Sequence, residues 1–179
     1  MADMADTVAD VPIVVVGLMG AGKTSVSELL GEALNRPVRD SDDYLEKRYG
    51  ITAAAIAETA GVTELHAREA EHLLDSLAER PAPIIAAAAS VLDDPRCREA
   101  LKPALVVWLD AEPEFIAKKI EEKPHRPRFG KKPLDLAKEL YERRAASFAE
   151  VADLHFKRPK MSKHEVAHAI LDHLKKQAG

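Results

Sequence analysis

An apolar run, a glycine-rich octapeptide and an amphipathic pattern follow one another near the start of this chain, and together they allow few folds. Pro12-Ile13-Val14-Val15-Val16 is short and wholly apolar, as a strand covered on both faces must be. Gly17-Leu18-Met19-Gly20-Ala21-Gly22-Lys23-Thr24 then fits G-x-x-x-x-G-K-[ST] at every fixed position. Behind it Val26, Leu29, Leu30, Ala33 and Leu34 recur at helical spacing. Strand, loop and helix in this order give the loop a mechanism. Its backbone N–H groups curl around a phosphate, and the helix N-terminus adds partial positive charge. Binding of a nucleoside triphosphate is expected, with contacts from Gly17, Gly20, Ala21, Gly22, Lys23, Thr24 and Ser25. Lys23 would neutralise β- and γ-phosphate oxygens, and the Thr24 hydroxyl would hold Mg²⁺.

Composition narrows the setting. A chain of 179 residues suits one domain with one sizeable core. A net charge of −4 without a sustained basic face gives no reason to expect nucleic-acid binding. Cys97 is the single cysteine, which excludes an internal disulfide and suits the cytoplasm. The Ala/Asp-rich stretch over residues 1–10 lacks a basic region and an apolar core, so it is expected to be a disordered tail and not a signal peptide. No apolar run approaches the ~20 residues of a membrane helix. A monomer acting on a small molecule, without membrane or nucleic acid, is the expectation.

Strand-like and helix-like segments alternate to the end of the chain, which predicts an α/β domain over 11–179 with a parallel sheet covered on both faces. Strands are expected at Pro37–Arg39, Ile84–Ala88, Leu105–Leu109 and Leu154–Phe156. Lys123 to Pro133, rich in Pro, Gly, Lys and Arg, reads as a lid that excludes water. Asp40 and Asp42 follow the second strand and should reach the same strand-end crevice as the loop. One carboxylate would support Mg²⁺ and the other would orient and deprotonate a substrate hydroxyl. The alternative is that Asp42 or Asp43 caps the following helix.

Other signals carry less. His164-Glu165-Val166-Ala167-His168 matches H-E-x-x-H, but Ser162 to Glu165 is also a capping box, which gives Glu165 a structural task. Leu105 to Asp110 resembles a metal-binding strand end, and a core strand turning into its next helix is the preferred reading. Cys97 reads as an inert residue on a short helix.

With these residues in place, the chain resembles the shikimate kinase family from about Ile13 to Asp153. The likeness rests on the octapeptide at 17–24, Asp40-Ser41-Asp42 with Glu46 and Gly50, Gly61, Glu69, Val106 to Leu109, Arg126-Pro127, Arg143-Arg144 and Val151 to Asp153. It implies a three-layer P-loop NTPase fold with a central five-stranded parallel sheet and a lid. It also implies transfer of the γ-phosphoryl group of ATP, with Mg²⁺, to a ring hydroxyl. On this likeness Asp42 would contact substrate hydroxyls, Asp40 would assist Mg²⁺, Arg126 would reach the phosphates, and Arg144 would bind a substrate carboxylate.

Four departures stand out, two of them on the acceptor side. Three consecutive glycines of the family are Ala88-Ala89-Ser90 here, and the Phe-Arg pair ahead of Glu69 is Leu65-His66. Alanine fills space that glycine leaves open. Histidine is shorter than arginine and mostly neutral above an unperturbed pKa of about 6.5. The lid reads Arg126-Pro127-Arg128-Phe129, and the adenine-stacking arginine is replaced by Lys118 or Lys119, with Lys119 taken as the nucleotide contact. Asp42, His66, Ser90 and Arg144 are then the expected acceptor pocket. Three readings stay open: a kinase of another small polar, anionic metabolite, a kinase of shikimate, and a non-catalytic ligand-binding regulator.

Overall fold

Val14, Val15 and Val16 are wholly buried and Ile13 is 1% exposed, so side chains on both faces of this strand are covered and it stands at the centre of the sheet. The computed structural model describes residues 11–122, 128 and 130–179. The expected tail over 1–10 and the lid residues 123–127 and 129, Arg126 included, lie outside the described residues.

In chain order the elements are β1 (Ile13–Val16), α1 (Lys23–Leu34), β2 (Val38–Asp40), α2 (Ser41–Tyr49), α3 (Ala53–Ala60) and α4 (Val62–Leu77). They continue with β3 (Ile84–Ala86), a 3₁₀ helix (Ala89–Asp93), α5 (Pro95–Leu101), β4 (Leu105–Ala111) and α6 (Pro113–Glu122). The last are α7 (Pro133–Val151), β5 (Leu154–Arg158) and α8 (Lys163–Ala178). The five strands form one sheet in the order β2-β3-β1-β4-β5, and every neighbouring pair is parallel. Ile13 pairs with Ile84 on one side and Leu105 on the other. Val38 pairs with Ile84, and Val107 with Leu154.

This order sends the chain from β1 outward to β2, back to β3, then across to β4 and β5. The strand ends after β1, β2 and β3 therefore open on one crevice, where ligands of such sheets bind. The main core runs from β1 and β3 through β4 to Phe148 of α7 and Ile170 of α8. A second, smaller core of Leu45, Ile56 and Leu65, packed with Tyr44 and Tyr49, ties α2, α3 and α4 together. Those three helices make a lobe beside the crevice. Among the described residues no helix is long and apolar enough to cross a membrane.

The strand bounds needed changing: β2 is shifted by one residue, to Val38–Asp40, and β4 runs two residues further, to Ala111. β3 stops at Ala86, and the chain leaves the sheet at Ala87 and Ala88 to enter a 3₁₀ helix that the alanine run did not suggest. At the other edge β5 runs two residues further, to Arg158.

Candidate functional site

The octapeptide turns sharply between β1 and α1. Gly20 has φ 82°, and a Cβ there would stand 2.6 Å from Lys119 Cβ. Gly22 has φ 100°, and a Cβ there would stand 3.2 Å from Arg158 Nη1. Both positions need glycine for backbone conformation, and Gly20 needs it for space as well. Gly22 also starts α1 without a side-chain cap, and the first turn holds no acidic residue. The orphan N–H groups of that turn are thus left for an anion. Lys23 Nζ folds back to donate to the carbonyls of Gly17 (2.8 Å) and Leu18 (3.3 Å).

Thr24 and Asp40 meet, although sixteen residues separate them. Thr24 Oγ1 donates to Asp40 Oδ2 at 2.5 Å. The other carboxylate oxygen, Oδ1, accepts from the backbone N–H groups of Asp42 (3.0 Å) and Asp43 (3.2 Å). Asp40 is therefore the N-cap of α2, a role the sequence pattern had offered to Asp42 or Asp43. The cap fixes one oxygen and leaves the other aimed at Thr24, so a hydroxyl and a carboxylate sit side by side next to the loop. That oxygen pair suits Mg²⁺, which takes few protein ligands and completes its shell with water and phosphate.

Arg158 is a residue the sequence reading missed. It ends β5, its guanidinium carbon lies 5.4 Å from the Phe115 ring centroid, and it borders Gly22. Its Nε and Nη1 are buried with no hydrogen-bond partner among the described residues. Burial pulls its pKa below the ordinary value. A desolvated cation with orphaned donors beside a phosphate loop fits a nucleotide. No motif marks it, since a single arginine on an edge strand reads as solvated. Lys119 lies on the same side, with Nζ 5.6 Å from the Phe115 ring and 3.7 Å from Glu122 Oε2.

The opposite side of the crevice is a cavity of about 250 Å³, where Lys23 meets His66, Glu69, Ser90, Arg143 and Arg144. Leu18, Met19, Leu65 and Leu140 supply part of its apolar wall. Glu69 is 9% exposed and accepts a hydrogen bond from Ser90 Oγ at 2.9 Å. Burial pushes its pKa up to about 7, with Asp42 adding to the rise and Ser90, Lys23 and Arg144 opposing it. Asp42 is near enough to act on Glu69, although it is not among the residues lining the cavity. Burial, then the Arg144 charge, holds the half-buried His66 below its usual pKa.

Arg144 lines this cavity with its guanidinium already paired. Its Nη1 donates to the Ala89 carbonyl (2.8 Å) and to Asp93 Oδ1 (3.3 Å), and its Nη2 lies 3.1 Å from Asp93 Oδ2. The guanidinium expected to grip a substrate carboxylate already grips one from the 3₁₀ helix. At Ala88 the backbone is ordinary extended chain, φ −65° and ψ 149°, so alanine meets no strain where the family has glycine.

Other candidates fall outside the crevice chemistry. Asp110 accepts from His155 at 2.7 Å and lies 3.4 Å from Lys157 Nζ, with Tyr141 also hydrogen-bonded to it. This pins β5 and α7 to β4. Glu165 closes the Ser162 capping box of α8, while His168 pairs with Asp172 at 3.3 Å. Among the described residues no group of three His, Cys, Asp or Glu side chains is placed to hold a metal. Cys97 is buried, and burial raises its thiol pKa to about 11.

The geometry has counterparts among known proteins. The shikimate kinase family model matches residues 19–175. Over 165 residues the chain is 30% identical to a shikimate kinase of Dehalococcoides mccartyi, which covers 92% of this chain and 93% of that one. The solved shikimate kinase from Acinetobacter baumannii in complex with shikimate superposes with a TM-score of 0.88 at 27% identity, over 97% of this chain and 98% of that one. A gluconokinase from Sinorhizobium meliloti gives a TM-score of 0.62 at 22% identity, over 95% and 94% of the two chains, a likeness of fold.

Proposed function

Since this chain belongs to the shikimate kinase family, we propose that it phosphorylates a hydroxyl of a small polar acceptor other than shikimate. It is an ATP-dependent phosphotransferase with an alcohol group as acceptor and uses Mg²⁺, as that family does. Bound Mg²⁺-ATP would supply the γ-phosphoryl group and neutralise its charge. Gly17, Gly20, Ala21, Gly22 and Ser25 would hold the phosphates through backbone N–H groups, and Thr24 with Asp40 would hold the metal. Lys23 would swing from the loop carbonyls to the phosphates and steady the charge that builds there. Asp42 would orient the acceptor hydroxyl and take its proton. Lys119 and Arg158 are assigned to the nucleotide, and Arg126 to the transferring phosphoryl. His66, Ser90 and Arg144 are assigned to the acceptor pocket.

The observation that carries the kinase reading is the shared cavity, in which the loop's Lys23 faces the acceptor-side residues His66, Glu69 and Ser90. What favours an acceptor other than shikimate is the combination of Ala88-Ala89-Ser90, His66 and the Asp93-bound Arg144. Shikimate itself is the second reading, favoured by the relatives and by the shikimate complex of the Acinetobacter enzyme. ADP formation over a panel of sugars, polyols, hydroxy acids and shikimate decides between them, with Lys23→Ala as the control. Saturable turnover with a panel member other than shikimate is expected. Fast turnover with shikimate alone would overturn the altered-acceptor reading, and nucleotide binding without turnover on any acceptor would favour a regulator.

A further inference from the structure

We infer that the acceptor site is built for an uncharged polyhydroxylated molecule, and that Asp93 sets this selectivity by occupying the Arg144 guanidinium. The inference rests on the kinase reading above and names its acceptor class.

The positive charges around the cavity are nearly all committed. Arg144 is held by Asp93 through both terminal nitrogens and by the Ala89 carbonyl through one of them, which leaves only its buried Nε without a partner among the described residues. The side chain of Arg144 is 6% exposed, so little water competes for it, while that of Asp93 is 46% exposed and stays well solvated on its far side. Lys131 is paired with Glu139. His66 is held towards its neutral form by burial and by Arg144 itself. Lys23 is turned to the carbonyls of Gly17 and Leu18, on the donor side. Arg143 remains, but it is exposed, and an exposed cation in high dielectric contributes little to holding an anion.

A carboxylate entering this cavity would have to displace Asp93 from Arg144. The competitor is tethered, so its effective concentration is on the order of millimolar or higher. A free acid at millimolar concentration would gain little from the exchange. It would also approach Glu69, whose carboxyl adds a like charge whenever it is ionised. An alcohol meets the opposite situation. The Glu69 carboxyl and the Ser90 hydroxyl, joined at 2.9 Å, offer acceptor and donor groups suited to hydroxyls, and the Leu65 and Leu140 side chains suit a carbon ring or chain.

Asp93 is the right element for such control. It lies at the end of the 3₁₀ helix Ala89–Asp93, and the next residue, Asp94, caps α5 by accepting from the Arg96 N–H. The position of Asp93 is thus fixed from the helix that follows, with no demand on Asp93 itself. Replacing it frees Arg144 without undoing a cap.

The test is calorimetric titration of shikimate and of its uncharged methyl ester into wild type, Asp93→Asn and Asp93→Glu. The wild type should bind the ester at least as tightly as the acid. Asp93→Asn, which keeps the shape and loses the charge, should bind the acid about tenfold more tightly than wild type does. Asp93→Glu should stay with the wild type, and Mg²⁺-ADP affinity should be the same in all three, showing that each is folded. A wild type that prefers the acid overturns the inference. So does an Asp93→Asn protein that binds the acid no better than wild type, including the case in which neither binds it. Binding is read without turnover, so failure of the kinase reading would appear separately, as absence of ADP formation on every acceptor.

Discussion

Glu69 places a carboxyl at the floor of a cavity where water scarcely reaches it, and its pKa rises from 4.5 to about 7 for that reason. Between these values the folded chain keeps a proton that the unfolded chain has released. Stability contributed by the protonated form is thus present below the lower value and is lost as pH climbs towards 7, by roughly 3 kcal/mol in the limit of full burial. Glu69→Gln should flatten the fall of melting temperature between pH 4.5 and 7 relative to wild type, and parallel curves for the two proteins would refute this. Lys23 is assigned to the ligand. Lys23→Ala should cut ADP formation by about 100-fold or more, while the nucleotide-free melting temperature stays within a few degrees. The placing of Lys23 and Thr24 at the start of α1 was legible because the loop pattern is local, and Asp40 was expected in the same crevice because it follows the second strand. The Asp93–Arg144 pair was not, since fifty-one residues separate its members and no spacing rule joins a 3₁₀ helix to α7. Arg158 was hidden for a similar reason, its orphaned donors being visible only once β5 lies beside the loop.

At the scale of elements, Asp40 shows one side chain serving two purposes. One oxygen starts α2 and the other meets Thr24. The purposes separate in a pair of variants. Asp40→Asn keeps a capping oxygen and should cost little stability, whereas Asp40→Ala should lose about 1 kcal/mol by chemical denaturation. Both should need more Mg²⁺ for half-maximal turnover. Equal stability of the two variants would mean that the cap does not matter. Periodicity and capping signals placed the helices and strands closely, down to the box at Ser162 and Glu165. They failed at Ala86–Ala89, where four identical small side chains give neither a twofold nor a 3.6-residue rhythm. The end of β3 is set there by packing, and by the Ser90–Glu69 and Ala89–Arg144 contacts that hold the 3₁₀ helix.

Across the whole molecule, the cations assigned to the nucleotide, Lys23, Lys119 and Arg158, come from α1, α6 and β5. Mg²⁺-ADP at about a hundred times its Kd should raise the melting temperature by roughly 5–10 °C. Arg158→Ala should weaken that binding and reduce the rise at fixed ligand concentration. Without nucleotide the same variant should melt no lower than wild type, because it removes buried donors that have no partner. A lower melting temperature for the empty variant would show instead that Arg158 supports the fold.

The five strands also govern how such a protein changes over generations. β1 separates the β2–β3 wing, which leads to Ala88, Ser90 and Asp93, from the β4–β5 wing, which ends at Arg158. Substitutions at Ala88, Ser90 or Asp93 on the first wing would alter the acceptor pocket and leave Gly17 to Thr24, Asp40 and Arg158 in place. A duplicated gene can therefore drift to a new cargo while inheriting its phosphate source intact.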